Sequence, residues 1–204
     1  MAPTVLQLSA QLRQIIYYHL DNGFYDNALF LSERLHGLDP RSAEALYLLA
    51  TCHYRAGQNK IAYDFLKQIA LKGAHLGCAY VFAQVCLALG KYTDGVAALE
   101  KSRSLWEGKN NLSEKVEIND VVRERLIASA AEKHSETARR HLPDAAACYC
   151  LMGKLYHANK HIKKAVECYV ECLKLNPFMW DAFQRLCDTG NMIATGVILD
   201  DTNS

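Results

Sequence analysis

The chain has 204 residues, half of them hydrophobic and 22% charged, with a formal net charge of +1. That balance supplies no long-range field to draw it onto nucleic acid or an anionic membrane, and no apolar run approaches the roughly 18 residues of a bilayer span. The stretch from Met1 to Leu8 lacks a basic segment followed by a long apolar core, so no secretory leader is expected, and the eight cysteines are expected as reduced thiols in nucleus and cytoplasm.

Apolar residues recur at helical spacing from the start, which predicts helices over 5–22, 24–37, 42–56, 59–72, 75–89 and 92–106. Gly23, Gly57 and Gly90 each close one such segment, where a left-handed residue ends a helix. Asp39-Pro40 marks the end of the first helix pair, because proline disfavours helix for the residue before it. Residues 103–142 break the pattern and read as a charged insertion. Gly108–Ser113 is polar loop, and Asn119 or Asp120 would cap a helix bearing Val122, Leu126, Ile127 and Ala130. Helices resume over 144–158 and 162–175, Asn176-Pro177 marks another junction, and a last helix covers 179–189. Residues 1–190 are expected to form one array, with 191–204 a tail that is the truncated continuation of a longer protein.

The helices come in copies about 34 residues long. Ser9 opens a copy with Leu12, Ile15, Ile16, His19, Ala28 and Leu35. Ala43 opens the next, with Leu46, Leu49, Ala50, His53, Ala62 and Ile69 on the same slots. Leu76 opens a third with Phe82, Ala83, Cys86, Gly95 and Leu99, and Ala146 a fourth with Tyr149, Met152, Gly153, Tyr156, Ala165 and Tyr169. Small residues stand where two helices must cross closely, and a larger one there would force the axes apart. This is the tetratricopeptide pattern. It predicts an all-α fold, a right-handed superhelix of stacked antiparallel helix pairs, in which each pair closes its core only on its neighbours. Cys52, Cys86, Cys172 and Cys187 hold apolar helix positions and read as small core hydrophobes.

Three stretches are more specific than a generic repeat: Asp26-Asn27-Ala28-Leu29-Phe30-Leu31-Ser32-Glu33-Arg34-Leu35, Leu48–Gly57, and Leu173–Trp180 with Phe183, Leu186 and Cys187 downstream. In order and spacing they resemble the N-terminal tetratricopeptide domain of the third subunit of the anaphase-promoting complex (cyclosome), over most of residues 10–190. The segment 103–142 departs from that family's pattern. The resemblance implies a non-catalytic scaffold subunit of a multi-subunit ubiquitin ligase in cell-cycle control. Its partners would be other subunits of the complex and a second copy of itself, bound through these repeats.

The inner face of such an array is lined by set positions of each first helix. Here they are Arg13, Tyr17 and Leu20, then Tyr47, Thr51 and Tyr54, then Tyr80, Gln84 and Leu87. Four tyrosines and two leucines are apolar for a groove open to water, which predicts a protein interface and, as its occupant, a second copy. The fourth copy offers Cys150, Lys154 and His157, a more polar set. The rival reading is a receptor for a peptide or a C-terminal tail, but a carboxylate clamp needs several cations and only Arg13 is cationic among the nine. No cysteine pair has zinc-finger spacing, and no phosphate loop or nucleophile elbow occurs, so neither cofactor, metal nor catalysis is expected. Basic residues are dispersed among acids, which excludes the footprint of a nucleic-acid binder.

Overall fold

A computed structural model describes residues 5–107 and 143–194. Ten helices occur among them: α1 (Val5–Asp21), α2 (Tyr25–Leu38), α3 (Ala43–Arg55), α4 (Asn59–Ala70), α5 (Leu76–Leu89), α6 (Tyr92–Lys101), α7 (Arg103–Trp106), α8 (Ala145–Ala158), α9 (Ile162–Leu175) and α10 (Trp180–Ala194). No strand is present among the described residues. The helices fall where the apolar period placed them. The helix expected near Val122 and Leu126, with the rest of 108–142, and the tail beyond Ala194 lie outside the described residues.

Each helix packs on the next in the chain, and α3 also packs on α5, so first helices stack along one side. Across the undescribed segment the stack is direct, since α8 packs on both α6 and α5. A Cβ on Gly95 of α6 would come within 3.0 Å of Leu155 on α8. The charged segment was expected to begin at 103, yet its first residues belong to the array. Arg103–Trp106 continue as the short α7, and Trp106 is buried, its indole N–H donating to the Leu99 carbonyl at 3.1 Å.

Local chemistry accounts for the turns. The first helices α3, α5 and α8 begin on a side-chain cap. Ser42 accepts from the Ala45 N–H at 3.2 Å, His75 Nδ1 from Cys78 at 3.1 Å and Asp144 from Ala147 at 2.8 Å. The turns inside the pairs instead use a residue at positive φ, Gly23, Gly57 and Gly90, and in the fourth copy Lys160 at φ 62°. There the amide beyond the turn bonds back into the last helical turn, as Gln58 does to His53 and His161 to Tyr156.

Four buried clusters follow one another along the stack. Tyr63 ties α4 to its neighbours. Its hydroxyl donates to Asp94 at 2.7 Å, its ring stacks on Phe82, and the Lys91 ammonium lies 4.1 Å from the ring centroid. The bond to Asp94, with burial, pushes the Tyr63 hydroxyl up to about 12.

At the ends, repeat slots expected in the core are open. Ile15 is 45% exposed, because no described helix covers that side of α1. Phe183 and Cys187 on α10 are exposed for the same reason at the other end, so Cys187 is not a core hydrophobe. Cys52, Cys86 and Cys172 are fully buried as expected.

Candidate interaction surface on the concave face

The nine predicted inner-face residues are all half-buried, and they divide into two groups. Tyr54 of α3 and Tyr80, Gln84 and Leu87 of α5 meet Cys150 and Lys154 of α8 around a hollow of about 240 Å³, closed below by Met179 and Asp181. Burial pushes the Tyr80 hydroxyl well above its ordinary range, so it enters any contact as a neutral donor.

The remaining five lie toward the N-terminal end and are more committed to the stack. Tyr17, Leu20 and Tyr47 pack on the first core cluster. The Tyr47 ring covers Gly77, where a Cβ would come within 2.9 Å of it, and lies 5.7 Å from the His75 ring. Burial lowers His75, which suits a neutral ring whose Nδ1 caps α5. The Thr51 hydroxyl turns back to donate to the Tyr47 carbonyl at 2.7 Å rather than facing the groove. Arg13 pairs with Glu44 at 3.4 Å.

Toward the C-terminal end the wall becomes polar, as Lys154 predicts. Lys154 bonds Asp181, which also accepts from Arg185 at 2.9 Å. Burial pushes the Asp181 carboxyl up, but the bonds from the two cations outweigh it and hold it below its ordinary value. Arg13 and Lys154 therefore both carry an acidic partner. A free terminal carboxylate entering the groove would have to displace Glu44 or Asp181.

Sequence reasoning missed Met179, just before α10, and Asp181, in the first turn of α10, both of which line the hollow. The one available signal was the Asp181–Arg185 spacing of a helical ion pair. It also missed where apolar surface is most exposed. Leu8, Ile15 and Tyr18 form a stripe along α1, and Phe178 and Trp180 stand out at the other end, 92% and 68% exposed. No described helix is long and apolar enough to cross a membrane.

Residues 21–102 match the family model described as anaphase-promoting complex, cyclosome, subunit 3. The chain belongs to that family. Residues 146–178 match a tetratricopeptide repeat model. Protein bimA of Emericella nidulans is 54% identical over 190 residues, covering 93% of this chain and 21% of its own length. Anaphase-promoting complex subunit 3 of Schizosaccharomyces pombe is 36% identical, with 96% of this chain and 25% of that protein covered. The human cell division cycle protein 27 homolog is 30% identical, with 92% and 19% covered. The chain thus spans about a fifth to a quarter of the length of the curated relatives it matches. Among solved structures, MamA residues 41 to the end from Desulfovibrio magneticus RS-1 superposes with a TM-score of 0.62 at 18% identity, covering 91% of this chain and 86% of that one. That likeness concerns the fold alone, a tetratricopeptide superhelix.

Proposed function

We propose that this chain is a non-catalytic homodimerisation module of a cell-cycle ubiquitin ligase scaffold, joining a second copy of itself and other subunits of the anaphase-promoting complex. Support comes from membership of the subunit-3 family, whose relatives are named as subunits of that complex. The observation that carries self-association is that one chain presents two complementary surfaces: the tyrosine-lined hollow around Tyr54, Tyr80 and Leu87, and the apolar stripe Leu8, Ile15 and Tyr18 on α1. A two-fold arrangement joins stripe to hollow twice, so both surfaces are buried in duplicate. Burying one large apolar side chain contributes roughly 1.5–3 kcal/mol. Several at once offset the roughly 4–15 kcal/mol cost of association. The seven buried cysteines, all free, suit a reducing nucleus and cytoplasm.

Light scattering coupled to gel filtration tests this. The parent chain is expected at dimer mass, and Ile15→Glu/Tyr18→Glu at monomer mass with unchanged helical circular dichroism, since both side chains are exposed. Tyr80→Glu tests the opposite surface. A monomeric parent, or a dimer indifferent to all three substitutions, overturns the reading.

A further inference from the structure

The seams between successive copies are filled in three different ways. Counted from the openings at Ser9, Ala43, Leu76 and Ala146, His36 and Arg103 share one slot, Phe65 and Cys168 a second, and His53 and Tyr156 a third. Between the first and second copies Phe65 stacks on His53 with centroids 5.5 Å apart, and meets His36 edge-on at 6.5 Å. Between the second and third, Ala70, Ala98 and Cys86 hold these slots and are fully buried in one cluster. Between the third and fourth, the slot of the ring carries the small Cys168. That seam stays open as a groove of about 360 Å³ beside Tyr156, walled by Tyr149 and Met152. It shares no residue with the concave hollow or the α1 stripe.

The groove is rimmed by acids. Glu100, Glu167 and Glu171 line it against Arg103 and Lys164. Arg103 is already shared between Glu100 at 3.5 Å and Glu107 at 3.3 Å, and its guanidinium lies 5.7 Å from the Trp106 ring. Glu167 bonds no cation among the described residues. The Lys164 ammonium lies 5.6 Å from the Tyr156 centroid, so this ring already faces a cation. Burial first, and the three carboxylates after it, push the Cys168 thiol up to about 11, so it stays neutral beside an occupant.

We propose that this groove is a docking site for an arginine side chain of a partner protein, its guanidinium laid on Tyr156 as Phe65 lies on His53 and donating to the carboxylates of the rim. A guanidinium is flat, so it takes the place of the missing ring. Its edge carries donors that match carboxylates. A phenyl ring meets only the first demand and a lysine ammonium only the second. Arginine is also enriched among the few residues that carry most of an interface's binding energy, where surrounding contacts exclude water. The partner presents a basic segment to the seam of α6 and α9, separate from the surfaces that a second copy would cover.

Nuclear magnetic resonance of the 204-residue chain with labelled methionine methyls tests this, because Met152 lines the groove and Met179 the concave hollow. The probe is the tripeptide acetyl-Gly-Arg-Gly-amide, with its neutral citrulline counterpart as control. The Met152 methyl is expected to shift saturably while Met179 stays, and the citrulline peptide to bind about tenfold more weakly. Glu167→Gln, at an exposed position, should weaken the arginine peptide by a similar factor without disturbing the fold. Cys168→Phe, which supplies the missing ring, should abolish binding; the exposed Glu167 variant decides the matter if that one does not fold. A Met152 signal indifferent to the arginine peptide, an equal response to citrulline, or unchanged binding by Glu167→Gln would each overturn the proposal. So would a Met152 shift produced by changing the chain's own Arg123, Arg125, Arg139 and Arg140 to Gln, which would make the occupant internal.

Discussion

The middle of the stack and its two ends use the same repeat slots with opposite results. Leu49 in the second copy and Phe82 in the third fill a slot that Ile15 fills in the first; the first two are 2% and 0% exposed and Ile15 is 45%. Gly153 and Gly190 both lie inside helices, yet a Cβ on Gly153 would collide with Tyr169 and one on Gly190 would meet nothing within 4 Å. A repeat pattern specifies which side of a helix is apolar. Whether that side is dry depends on a neighbour being there. Among the described residues the apolar ends are therefore uncovered, and contiguous exposed apolar surface is where partners bind.

Substitutions at matched slots break or sharpen this contrast. Phe82→Ala should cost about 3–5 kcal/mol, read as a lowered urea midpoint, since it removes a ring stacked on Tyr63 in the central core. Gly153→Ala should cost about 1–3 kcal/mol because Tyr169 is itself fully buried and cannot swing aside. Gly190→Ala should do the reverse, raising the thermal midpoint by an amount equivalent to about 0.5–1 kcal/mol, the helix preference of alanine where space is free. Lys160→Gly should raise stability similarly, restoring at φ 62° the residue that the other three turns carry. Smallest of all, Ile15→Ala should stay within about 0.5 kcal/mol in the monomeric form. A loss there as large as that at Phe82 would mean the ends are not open.

The helices were legible in the sequence because period, glycine and proline agree locally at Gly23, Gly57, Gly90 and Asn176-Pro177. The ends were not. Ile15, Phe183 and Cys187 carry the same local signal as Leu49 or Cys86, and only the presence or absence of a packed helix separates them. The concave face was half legible. Spacing along first helices brought Tyr54, Tyr80, Gln84 and Leu87 to one hollow, but it assumed that each side chain points outward along its position. Thr51 instead bonds its own helix, Tyr47 folds over Gly77, and Arg13 is neutralised by Glu44 from the next first helix. Asp181 was missed because it reaches Lys154 from a different copy, a relation no single-helix pattern encodes.

Trp106, closed in between α6 and α8 with its edge against Tyr149, has one further use. The chain contains only one other indole, Trp180, and that one is largely wet. Intrinsic emission from this protein therefore splits by address: the blue component reports the seam between the third and fourth copies, and the red component the far tip of the stack. Following the two colours during denaturation would tell whether the seam parts before the stack as a whole gives way.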